Sequence, residues 1–161
     1  LRFGALFCLI NTEATMMSSD ISFTVPGQPV QWAVHQRQDN NPRSPRFEKK
    51  QRLVVYQDMV RVAARAAMQG LPPHNGLVHL DVWFYLGIPV SAGKTQAARA
   101  RWVTKHRLIG GKFNPDRTNL LKGFEDALNG IVFLDDVLVV NGATVKDFAG
   151  VPETVARVRL I

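Results

Sequence analysis

The 161-residue sequence has one cysteine, Cys8. It can close no disulfide within the chain and cannot build a thiolate cage for a metal, so the sequence suits a reducing, cytoplasmic compartment. Acid is in short supply: 13 Asp and Glu stand against 20 Lys and Arg, giving a net charge of +7 and a pI near 10.1. Such a balance favours a polyanionic partner, nucleic acid before membrane, because no basic amphipathic helix stands out. Long apolar runs are missing too. The stretch RFGALFCLI, residues 2–10, resembles a signal peptide but is far too short to span a bilayer. No internal repeat is visible, and His35, His74, His79 and His106 show no metal-ligand spacing.

With 46% hydrophobic residues in a chain of this length, one domain with a real core is expected. MMSSD, residues 16–20, looks like a natural start, so residues 1–20 read as a disordered or non-native extension and 21–161 as the domain. A weak secretory signal is the alternative. ISFTV (21–25) alternates as a half-buried strand and stops at PGQP. A polar loop with six Lys and Arg covers 35–52. Val55, Met59, Val62, Ala63, Ala66 and Ala67 then recur at helical spacing, predicting a helix over about 51–68. LVHLDVWFYL (77–86) reads as a central strand, apolar on both faces.

Residues 87–117 form a basic connection, and TQAARARWVTKH within it predicts a short helix capped by Thr95. The next helix, 118–130, has an apolar face of Leu120, Leu121, Phe124, Ala127 and Leu128 and ends at Asn129-Gly130. Strands are expected at 131–140, 143–148 and 153–161. The element order predicts an α+β fold, a mixed sheet with helices packed on it.

GIPVSAGKT after the central strand is a near miss for a phosphate-cradling loop. Five residues separate Gly87 from Gly93 where four are needed, and Pro89 intrudes, so no nucleotide cofactor is expected. IVFLDDVLVV (131–140) is more informative, because Asp135 and Asp136 interrupt an apolar run. On a strand one of them aims at the packed side, where a bare carboxylate is costly. The other reading is a turn, with the strand starting only at Val137. The preceding NPDRTNLLK places Asp116 just before a helix, with Asn119, Lys122 and Asp126 at i, i+3 and i+7 on the face opposite the apolar one. An ordinary solvated face with a Lys122–Asp126 pair would look the same. Carboxylates with a lysine also suit Mg²⁺, which takes oxygen ligands, and phosphodiester hydrolysis, where a lysine stabilises developing charge.

NPDRTNLLKGFEDALNGIVFLDDVLVV resembles the signature of the RusA family of Holliday junction resolvases. There, a Pro-Asp-x-Asp-Asn-Leu-x-Lys segment begins a helix ending in Asp-Ala-Leu, and an Asp-Asp-x-x-Val strand follows. Weaker similarity extends over most of 21–161. The resemblance implies a homodimer that binds branched DNA, four-way junctions, and nicks two strands symmetrically with Mg²⁺, for which Mn²⁺ can substitute. By position it implies Asp116, Lys122 and Asp136 as catalytic residues. Asp116 and Asp136 would hold the metal with help from Asp135 and Asp126, and Thr118 and Asn119 would support them.

Thr118 departs from the pattern: it stands where the second aspartate belongs, and a hydroxyl brings no negative charge. A junction-binding protein with an impaired site, or a nuclease for other branched DNA, are the rival readings. VQWAVHQRQDN also replaces a basic proline-rich run. Lys94, Arg99, Arg101, Lys105, Arg107, Lys112 and Arg117 in the basic connection are the expected phosphate contacts. Trp102 and Phe113 are expected to serve core packing before base stacking.

Overall fold

The computed structural model describes residues 20–32, 41–109 and 114–161. Residues 1–19 of the expected extension lie outside them, as do Cys8, His35, Lys112 and Phe113. Asp20, the last residue of that extension, pairs with Arg157. The described residues form one mixed α+β domain.

Strand β1 (Ile21–Pro26) is antiparallel to β5 (Glu153–Leu160), and β5 to the central β2 (Val78–Gly87). Along the other edge of β2 run β3 (Val139–Asn141) and then β4 (Thr144–Ala149), both parallel to it. Register puts apolar side chains on one face. Ile21, Val158 and Leu80 form one row, Phe23, Ala156 and Val82 the next, and all six are buried. The opposite face carries His79, Asp81, Trp83 and Tyr85 of β2 beside Arg159, Arg157, Val155 and Glu153 of β5. The expectation that β2 is apolar on both faces is therefore only half met.

Two helices cover the apolar face. Helix α1 (Pro45–Met68) starts six residues before the expected 51, because Ser44 accepts hydrogen bonds from the amides of Arg46 and Phe47 and Pro45 fits the first turn. Residues 45–52, expected as loop, are thus helical. The helix also turns a different stripe inward. Leu53, Tyr56, Val60, Ala64 and Met68 are buried, whereas Val55 and Val62 are 58% and 66% exposed. Which stripe turns inward is set by the elements it packs on, β1 and the third helix. Tyr56 hydroxyl lies 2.7 Å from the buried Thr154 hydroxyl, and Gln57 donates to Gly123 carbonyl at 3.0 Å.

Helix α2 (Gln96–Arg107) is capped by Thr95 as expected and buries no side chain. GIPVSAGKT, before it, makes a 3-10 turn at Val90–Ala92. Helix α3 (Arg117–Leu128) buries Leu120, Gly123, Phe124, Ala127 and Leu128. Phe124 stacks with Phe23 and meets Phe84 edge-on.

The strand expected over 131–140 does not form. Ile131 and Val132 amides fold back on the Leu128 carbonyl, and Gly130, at φ +71°, donates to Phe133 carbonyl. Asp135 then caps a 3-10 turn, Asp136–Leu138, by accepting from the Val137 amide at 3.0 Å. Ladder bonds begin only at Val139. Val132 and Phe133 are still buried, so their apolarity reported core packing and not extension.

Between β3 and β4 the chain presses against the central strand. Gly142 has φ +147°, and a Cβ there would stand 1.8 Å from the Leu80 carbonyl oxygen. Gly142→Ala is expected to lower stability by at least about 2 kcal/mol, measured by urea unfolding, because both the backbone angle and the space require glycine.

Candidate active site

Asp116 is held at the start of α3 by its own side chain and by its neighbours. Its carboxylate accepts from the Asn119 amide at 3.0 Å, and its own amide donates to the Gln31 side chain at 3.1 Å. Asn119 carbonyl accepts from the Trp32 amide at 2.9 Å, tying the first turn to the segment after β1. Arg117 reaches the Thr144 carbonyl of β4 at 3.2 Å. Asp116 and Thr118 are both exposed.

Asp136 returns toward the second and third turns of α3. Burial raises its carboxyl pKa above the ordinary value, and a hydrogen bond and repulsion from Asp135 add to this. Lys122 opposes the rise and Asp126 strengthens it. Glu125 shares the cluster: burial, then Asp136 and Asp126, push its pKa up to about 7 against the pull of Lys122. Lys122 lies 3.8 Å from the Asp126 carboxylate and 5.2 Å from the Trp32 ring centroid.

The sequence candidates therefore fall into two groups. Asp126, Asp135 and Asp136 gather around Lys122, with Glu125 added; Asp116 stands at the helix cap, where its charge acts on Lys146 of β4. Among the described residues, no group of three His, Cys, Asp or Glu forms a ready cage for a metal. Mg²⁺ does not need one, because it commonly takes one or two carboxylates and completes its shell with water and phosphate. Carboxyls raised by burial and mutual repulsion, with a single lysine among them, are chemically fitted to a hard cation that would relieve that repulsion.

The basic residues lie on and around α2. Lys94, Arg99, Arg101, Lys105 and Arg107 are exposed, as is Arg117. Arg107 is partly committed, holding both Asp147 oxygens at 2.6 and 2.8 Å, and Arg99 donates to the Gly93 carbonyl. Trp102 stacks on His106 and meets Phe148 edge-on; half-buried, it packs on the edge of the domain and not in the core where it was expected. Trp32 and Lys146 were not legible beforehand. Trp32 sits in a polar segment without periodicity, and Lys146 reads as the ordinary charge of an alternating strand.

A raised carboxyl pKa means that the native state holds its proton more tightly than the unfolded chain does. For Glu125, stability should be highest below about pH 4.5 and decline as pH rises to about 7. Glu125→Gln is expected to flatten this part of the stability curve and raise the melting temperature at pH 8 without added metal. Thermal unfolding across pH checks it.

No helix among the described residues is long and apolar enough to cross a membrane. No curated protein matches the sequence. The family described as Endodeoxyribonuclease RusA matches residues 26–159, nearly the whole chain and all of the helix, turn and strands that carry these acids. The chain belongs to the RusA endodeoxyribonuclease family.

Proposed function

We propose that this protein is a Mg²⁺-dependent endonuclease that resolves four-way DNA junctions by paired, symmetric nicks. The observation that carries the reading is the group of Asp136, Asp126 and Glu125 around Lys122, with Asp135 bonded to Asp136, on α3 and the turn that follows it, in a nuclease-family chain of charge +7. In this reading Asp136 and Asp116 would hold the metal, which requires the α3 cap and the Asp136 turn to reach one ion, with Asp135 and Asp126 in support; Mn²⁺ can take the same oxygen ligands. A bound divalent ion supplies charge neutralisation and Lewis acidity at the phosphate.

The chain's own residues do the remaining work. Lys122 offers to the attacked phosphate or the leaving oxygen an ammonium that lies 5.2 Å from the Trp32 ring centroid. Asn119 fixes the Asp116 carboxylate through its backbone amide. Thr118, exposed in the first turn of α3, would support the site through its hydroxyl, which can donate or accept. Lys94, Arg99, Arg101, Lys105, Arg107, Lys112 and Arg117 contact phosphates without reading sequence. A homodimer matches the two-fold symmetry of paired nicks, and the exposed Val55, Met59 and Val62 stripe of α1 offers an apolar face for a second copy. The domain spans 21–161, works in the cytoplasm and uses no nucleotide cofactor.

Thr118 favours one rival, a protein that binds junctions without cutting them. Labelled junctions incubated with and without Mg²⁺ separate the two, and flap or fork substrates test for a broader nuclease. Asp136→Asn is expected to reduce nicking by at least about a hundredfold while junction affinity persists. Unchanged cutting would remove Asp136 from the site. Thr118→Asp should lower the Mg²⁺ concentration needed for half-maximal rate, because it adds an oxygen ligand and a charge.

A further inference from the structure

Lys146 has no part in the mechanism above, yet its setting is unlike that of a surface lysine. It lies on β4 opposite Phe84, on the helix-covered side of the sheet. Its ammonium donates at 2.7 Å to the carbonyl of Pro115, the residue before Asp116. Burial lowers its pKa, Asp116 opposes that shift and Arg117 adds to it. No carboxylate among the described residues comes within salt-bridge distance.

An ammonium has three N–H donors, and the Pro115 carbonyl takes one. Space for a ligand lies alongside: Lys146 forms part of the wall of a cavity of about 350 Å³, with Leu86, Arg107, Asn114, Asp147 and Phe148. Arg107 is neutralised there by its two-pronged bond to Asp147, so Lys146 is the cation in that wall with charge to spare. A partly desolvated ammonium with free donors, facing a cavity beside the cap acid, suits a phosphate oxygen better than a structural strut alone would require.

Resting on the nuclease reading, we infer that Lys146 binds a phosphate of the DNA strand at the Asp116 end of the site, while Lys122 serves the Asp136 end. Its partner is the sugar–phosphate backbone, so the contact is blind to sequence.

The test is binding of a labelled four-way junction over a salt series without divalent metal, with Mg²⁺-dependent nicking followed in parallel. Lys146→Met should weaken binding about tenfold at low salt and reduce the slope of log K against log salt by about one. Lys146→Gln keeps a donor for Pro115 but no charge, and should lose the same slope even if the Met variant folds poorly. Lys146→Arg should restore it. A lysine serving only to brace Pro115 would lower the melting temperature and leave the slope unchanged, and that result overturns the inference. If wild type binds but does not nick, the nuclease reading fails while the salt series still decides Lys146. If wild type does not bind the junction, both fall.

Discussion

Asp81 is a carboxylate on the central strand, 8% exposed, and the placement of the β4 edge depends on it. Burial alone would raise its pKa, but the Ala143 amide at 2.8 Å, His79 at 2.9 Å and Arg159 at 3.0 Å outweigh that and hold it below the ordinary range. The Ala143 contact matters most for the site. With the Val82 amide donating back to the Ala143 carbonyl at 2.8 Å, it locks the turn before β4 against the middle of β2. Thr144 then pairs with Val82 and Lys146 with Phe84. A slip of one residue would turn Lys146 to the open face and take its ammonium away from Pro115. It would also shift the Thr144 carbonyl that Arg117 reaches. The start of α3 is thus attached to the sheet through a buried carboxylate that takes no part in the proposed chemistry.

From that attachment the charge pattern follows. Helix α3 turns its apolar face into the core, so its polar face presents Lys122, Glu125 and Asp126 to the returning turn that carries Asp135 and Asp136. The acids repel one another and are partly shielded from water, which is why Glu125 and Asp136 both hold protons more tightly than free carboxyls. Without a cation this repulsion opposes folding; with one it becomes binding energy.

The fold class, the cap of α2 and the apolar face of α3 could be read from the sequence, because short-range signals decide them: Thr95 as cap, and the spacing of Leu120, Phe124 and Leu128. Two features could not. The inward face of α1 was misjudged, since Val55 and Val62 match helical periodicity as well as Tyr56 and Val60 do, and only the packing partners on β1 and α3 choose between them. The 131–140 segment looked like a strand because Val132 and Phe133 are as apolar as strand residues are. Their burial comes instead from a turn bridged to His74, whose amide donates to Val132 carbonyl at 2.9 Å. That partner lies more than fifty residues away in sequence, beyond any local pattern. The bond from Lys146 to the Pro115 carbonyl was hidden for the same reason.

Helix α2 raises the converse problem, because it buries no side chain. What attaches it is a set of peripheral contacts: Trp102 edge-on to Phe148 and Arg107 on Asp147, both of β4, and Asn114, before α3, donating to the His106 carbonyl at 2.9 Å. Such contacts stabilise the domain modestly, since exposed ion pairs are worth little and an edge-on ring pair about a kilocalorie. Yet they fix the orientation of Lys94, Arg99, Arg101 and Lys105 relative to β4, and through Lys146 relative to Asp116. A helix that adds little to stability but sets where a row of cations lies is well suited to guiding a polyanion. The same strand then serves two ends: its inward Lys146 braces the start of α3, and its outward Asp147 anchors the basic helix.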